Sequence, residues 1–266
     1  TMTETTVLDL AHEAMEASPG DDAARLRFYE RVADAELFLL LDPDAPEADL
    51  KPMLFAVPDG RFVLAFDREE RLAAFNDAPS PYAALPGRVI VQTLAGQQTG
   101  LGLNLGVAPS SFLMPHDAVD WLALTLRLAP QRAEARIAAF GPPLGIPERL
   151  LTALDAKLAM MPGLAASACL AGVTYADGRR GNMLVFLDPR VGAEDALAKA
   201  VSEALTFSGI DAGELDVTFM ASGSPAAQKA TAAGLRFDLP KPVVAPEPSP
   251  ARQAPGTDPS RPPRLR

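Results

Sequence analysis

Cysteine is almost absent: Cys169 is the only one in 266 residues. No intrachain disulfide can form, and this usage fits a reducing compartment. Its neighbours Ala166, Ala168, Leu170 and Ala171 make a buried, inert thiol the expectation. Histidine is nearly as scarce. His12 and His116 stand far apart and outside any H-x-x-x-H or H-E-x-x-H pattern, so no metal site is expected. Dense apolar runs are short, and Leu37 to Leu41 is far too short to cross a bilayer. The opening TMTETTVLDL has no basic region followed by an apolar run. These absences lead to the expectation of a soluble cytoplasmic protein without membrane contact. No G-x-x-x-x-G-K-[ST] occurs, which excludes a P-loop, and no G-x-S-x-G elbow occurs.

Charge is abundant and uneven. The chain carries 24 basic and 34 acidic residues, a net −10. Residues 1–128 hold 20 acids and 9 bases (−11), residues 129–238 hold 12 and 10 (−2), and residues 239–266 hold 2 and 5 (+3). An acidic first half repels phosphate backbones and argues against nucleic-acid binding. It suits a basic partner protein, or simply keeps the protein in solution.

The periodicities predict an α+β fold of two mixed helix/sheet domains, each with a β-hairpin, and a disordered Pro-rich tail. The expected boundaries are 1–128, 129–238 and 239–266. Helices are expected at 6–17, with Val7, Leu10, Ala11, Ala14 and Met15 inward, and at 22–34. Glu36 to Leu41 is an apolar run, as in a strand buried on both faces. Met53–Val57 and Arg61–Phe66 flank Pro58-Asp59-Gly60 and make a hairpin. Asp67 caps a short helix to Phe75, whose charges read as a solvated face. A loop with three prolines leads to an expected strand over 88–94, then to the glycine-rich stretch and a Pro115-started helix over 115–128. The second half is expected to run strand 135–140, helix 147–161, hairpin 166–175 with 183–188, helix 192–207, strand 214–220, a Ser224-capped helix and a strand 235–239. The tail holds nine prolines in 28 residues and no aromatic residue, too little apolar surface to offset ordering.

Few residues could carry chemistry. Gly100, Gly102 and Gly106 are spaced G-x-G-x-x-x-G, one residue longer than a dinucleotide loop requires, and Pro109 intervenes before any helix. A glycine-bent strand, Leu101 to Leu105, is the alternative. The binding candidates in that stretch are Asn104, Gly106, Ser110 and Ser111. Ser110 and Ser111 precede His116 by six and five residues, and hydrogen bonding within the turn competes with any nucleophilic role. Asp42, Asp44, Glu47 and Asp49 depart from the calcium-loop spacing and read as a solvated surface. Arg179 and Arg180 sit in an Asp177-Gly-Arg-Arg-Gly181 turn that could grip a phosphate or carboxylate, or simply turn the hairpin. Trp121, the sole tryptophan, either covers a domain junction or anchors a partner. No catalytic residue and no cofactor is assigned.

The succession LFLLL, PMLFAVPDGRFVLAF, REERLAAF, LPGRVIVQTL and GLGLNLG resembles the SseB N-terminal domain. Residues 133–238, with SACLAGVTY and MLVFLD, are similar to the C-terminal domain that accompanies it. Related sequences often carry Asn-Pro-Gly where this chain has Asn104-Leu105-Gly106. The resemblance implies a bacterial protein of a family named for enhanced serine sensitivity, and it brings no catalytic residues. The preferred reading is a non-enzymatic binding or regulatory module acting through an unknown protein partner, of undetermined oligomeric state. The alternatives are a small-molecule sensor or unfamiliar enzyme linked to amino-acid metabolism, and a secretion-associated protein.

Overall fold

The computed structural model describes residues 4–46, 50–58, 60–76, 80–128, 130, 135–210 and 215–241. Within them the fold is α+β, with two sheets. The first sheet has the order β4-β1-β3-β5-β6, made from β1 (Glu36–Leu40), β3 (Gly60–Phe66), β4 (Tyr82–Pro86), β5 (Thr99–Leu103) and β6 (Phe112–Met114). A further strand, β2 (Leu54–Val57), forms the expected hairpin with β3. β3 and β5 run parallel; the other neighbours are antiparallel.

β1 is buried on both faces, as its unbroken apolar run implied. Leu37, Leu39 and Leu41 enter a core with Phe28, Val32, Ile90, Val91, Leu122 and Leu126. Phe38 and Leu40 face a smaller core with Leu64, Phe66 and Leu72. The larger core is roofed by α1 (Val7–Ala17), α2 (Asp22–Asp34), α4 (Gly87–Leu94) and α5 (His116–Arg127); the smaller by α3 (Glu69–Asn76).

The second sheet has the order β10-β9-β8-β11 with β7 also on β8. Its strands are β7 (Ile137–Gly141), β8 (Ser167–Tyr175), β9 (Arg180–Leu187), β10 (Leu215–Met220) and β11 (Leu235–Asp238). Side-chain alternation sends Leu184 and Phe186 toward α6 (Glu148–Ala159) and α7 (Glu194–Phe207). It sends Met183, Val185 and Leu187 toward α8 (Pro225–Ala233). Ser224 caps α8 by accepting from Ala227 N.

Four expectations need correction. Residues 87–94 form helix α4 rather than a strand: the β-branched run RVIVQTL suggested pleating, but Gly87, Ile90, Val91 and Leu94 are buried at helical spacing. β4 was missed because the surrounding prolines signal a loop. On α1 the inward face is Leu8, Asp9, His12 and Met15, whereas Val7 and Leu10 are turned out. Leu239, assigned to the tail, is buried in the second core. Residues 242–266 of the expected tail, and Glu47 and Asp49 of the acidic loop, lie outside the described residues.

The glycines of β5 are needed for close approach. A Cβ at Gly100 would lie 2.4 Å from a Phe62 ring carbon and 2.6 Å from the Met114 carbonyl oxygen. One at Gly102 would lie 2.6 Å from a Leu64 methyl. Gly100→Ala should therefore cost about 1–3 kcal/mol by overpacking. Gly20→Ala, in open space between α1 and α2, should stay within about 0.5 kcal/mol. Urea unfolding of both variants checks this, and equal effects would contradict the packing argument.

Candidate functional site

The sequence candidates fall into three places. The first is the turn after β5. Asn104 is fully buried with φ +47°, a left-handed conformation that asparagine tolerates. Its Nδ2 donates to Ser110 Oγ at 2.9 Å and its Oδ1 accepts from Asp67 N at 3.1 Å. Gly106 has φ +70° and donates its N–H to Ser111 Oγ at 3.2 Å. Ser110 Oγ donates to Asp9 Oδ1 at 2.5 Å. These four candidates are therefore brought together, in a turn stapled by its own side chains. His116 shares no hydrogen bond with either serine; His12 packs edge-on against the rings of Phe28 and Phe112.

What the sequence missed is the centre of this cluster. Arg71, 2% exposed, bonds Asp9 Oδ1 at 3.0 Å and Oδ2 at 2.5 Å, and Asp67 Oδ1 at 2.9 Å. Thr6 N donates to Asp9 Oδ2, closing a capping box on α1, and Thr6 Oγ1 donates to Asp67 Oδ2. Burial alone would raise the Asp9 carboxyl, but hydrogen bonds from Arg71, Ser110 and Thr6 outweigh it and hold it well below the usual carboxylate range. The expected solvated face of α3 is thus corrected: Asp67 and Arg71 are interior. One signal was available, because Asp9 falls on the same helical face as Leu8, His12 and Met15. Asp9, Arg71, Asn104 and Ser110 are buried and engaged with one another, while Ser111 stays exposed, so the cluster clamps α1, α3 and the turn together.

The second place is the β8–β9 turn. The Arg179 guanidinium carbon lies 4.1 Å from the Tyr175 ring centre, and Nη1 is 3.8 Å from Asp216 Oδ2. Burial and the hydrogen bond it gives to Asp216 push the Tyr175 hydroxyl upward. Arg179 and Arg180 line an open cavity of about 380 Å³ with Asn182, Asp216, Pro147 and Leu150. Asn182 fixes one wall by bonding both Leu144 N and Leu144 O at 2.9 Å.

The third place is the junction between the domains. Trp121 lies 6.1 Å from the Tyr29 ring and 6.3 Å from that of Phe207 on α7, so it covers the junction. Beside it is a second cluster that sequence reasoning missed: Glu30 and Asp34 of α2, Arg88 of α4, Lys157 of α6 and Glu203 of α7. Charged residues on amphipathic helices read as solvent-facing, and pairs 115 and 123 residues apart leave no local signal. Cys169 is buried and its thiol is pushed up by burial, donating only to Ala230 O.

Residues 11–121 match the family model described as SseB protein N-terminal domain. Over this segment the chain is similar to the SseB N-terminal domain. The segment spans α2 to the middle of α5 and every strand of the first sheet. No curated protein and no solved structure matches the chain. Among the described residues no helix is long and apolar enough to cross a membrane, and no group of three His, Cys, Asp or Glu could hold a metal.

Removing one carboxylate from a buried Arg pair leaves uncompensated charge, so Asp9→Ala should cost about 3–5 kcal/mol. Because the Asp9 carboxyl is lowered on folding, its contribution is full above the ordinary 3.8 and is lost as pH falls below it. Urea midpoints of wild type and Asp9→Ala at pH 7 and pH 3 test both points. The gap between them should narrow at pH 3; a gap unchanged with pH would remove the clamp.

Proposed function

We propose that the protein is a non-enzymatic binding module of the bacterial cytoplasm, working through contacts with another protein. In this reading the second sheet is the SseB C-terminal domain, with boundaries near residues 128 and 238. The observation that carries the proposal is the outer stripe of α5. Trp121, Leu124 and Leu128 follow one another at i, i+3 and i+7 and are 39%, 63% and 56% exposed. An exposed tryptophan flanked by leucines has the composition of an interface anchor. The outward face of α1, with Val7, Leu10 and Ala14 beside Glu13, supports the same reading. A net −11 over residues 1–128 favours a basic partner and disfavours nucleic acid.

A second reading rests on the cavity at Arg179 and Arg180. Its arginines suit a small anionic ligand, carboxylate or phosphate, which would make the second domain a sensor. A thermal-shift screen of amino acids, keto acids and nucleotides separates the two, because a ligand selective for the folded state raises Tm. A hit should vanish in Arg180→Ala, and a flat screen removes this reading.

For the preferred reading, the test is capture from bacterial lysate at low and high salt, repeated with Leu124→Glu. A partner recovered by the wild type should be retained about tenfold less by the variant, as expected for an interface anchor worth more than 1 kcal/mol. Circular dichroism should be unchanged. Failure to enrich any protein at either salt, or equal capture by both, removes the proposal.

A further inference from the structure

Among the described residues, three carboxylates (Glu30, Asp34, Glu203) and two cations (Arg88, Lys157) are joined by ion pairs in the seam between the domains. Their partners are unequal. Asp34 receives Arg88 Nη2 on Oδ1 at 2.5 Å and Lys157 Nζ on Oδ2 at 2.7 Å. Glu203 receives Arg88 on both oxygens, at 3.3 and 3.2 Å, with Lys157 Nζ 2.9 Å from Oε2. Both cations thus serve both of these carboxylates. Glu30 has only a share of Lys157: its Oε1 lies 3.2 Å from Nζ but accepts no aligned hydrogen bond. It is also the most buried of the five, 2% exposed. An ionised carboxylate in that position is costly, and protonation removes the cost.

We propose that the seam is a proton-binding site centred on Glu30, and that the bound proton sets how tightly the two domains dock. Among the described residues, the charged groups acting on Glu30 are Arg31 and Asp34 on its own helix and Lys157 from α6, with Glu203 from α7 and Arg88 from α4 joined to the same ion-pair network. Burial pushes the Glu30 carboxyl above its ordinary 4.5, against the pull of Lys157 and Arg31 and with the push of Asp34. Burial works against Lys157 and Arg88 too, but their carboxylates outweigh it and hold both cations charged. The sign follows from linkage. The docked state binds more protons than the separated one, so docking is strongest in mild acid and weakens as pH rises through the raised Glu30 value. This is opposite to Asp9, whose effect is confined to strong acid.

The molecule contains its own reporter. Trp121 touches Phe207 across the same seam, and burial holds the neighbouring Tyr29 hydroxyl above its ordinary 10.0, so it stays neutral over the range needed. The experiment follows Trp121 emission of the full chain in urea between pH 5.5 and 8.5, for wild type and Glu30→Gln. The wild-type urea midpoint should fall with rising pH relative to the variant, whose amide mimics the protonated acid; the difference should vanish at the acid end. The carbon-13 shift of the Glu30 carboxyl in the wild type gives a second measurement that needs no variant, and it should titrate above 4.5. Parallel pH profiles for the two proteins, or titration of Glu30 at or below 4.5, would overturn the proposal.

Discussion

Lys157 is a single ammonium shared by three buried carboxylates, and the joining of the two domains turns on it. Its neighbours come from α2 and α7, while it stands on α6. Removing an ion from water costs several kcal/mol unless partners compensate, so this lysine is tolerated inside only when both domains are present. The apolar contacts agree: Phe207 of the second domain is a member of the first domain's core. The seam is thus both greasy and ionic, and the ionic part fixes which faces meet, since apolar contact is non-directional.

Arg71 plays the same part on a smaller scale. It joins α1 to α3, two elements 62 residues apart in sequence. Through Asp9 and Ser110 it also reaches the turn that ends β5. Without this clamp, α1 would hold only by the residues it sends into the core, Leu8 and Met15 among them. Both buried cations therefore act at long range, tying short elements whose local propensities are modest. Both are tied to more than one acid, so the loss of any partner leaves a charge that the interior cannot solvate.

That pattern explains what the sequence revealed. β1, both hairpins, α6, α7 and α8 were legible because apolar spacing and turn residues act within a few positions. α4 was misjudged because β-branched residues dominate Arg88 to Leu94, although the buried positions 87, 90, 91 and 94 already followed a helical period. The candidate turn at Asn104 to Ser111 was located correctly and its neighbours were not. Asp9 and Asp67 read as helix-start residues and Arg71 as part of a charged helix face, and nothing local distinguishes an acid bound for a buried arginine from one bound for water. Glu30 is the same case: it lies one residue past the buried Tyr29 and two before the buried Val32, on a sector of α2 that only a second domain could cover.

The distribution of polar groups also bears on function. In the first domain Asp9, Asp67, Asn104 and Ser110 are bonded to one another and to Arg71, and Gly100 and Gly102 of the glycine-rich stretch lie against Phe62, Leu64 and Met114. Around Arg71 that interior chemistry holds shape. What the first domain offers outward is the reverse: apolar side chains on α1 and α5 against a strongly acidic background. A surface of that kind gains little from small polar solutes and more from a partner that covers leucine and tryptophan while supplying positive charge. Trp121 is common to both surfaces, since it meets Phe207 in the seam and belongs to the outer stripe of α5, so a partner seated on that stripe would also meet the edge of the seam.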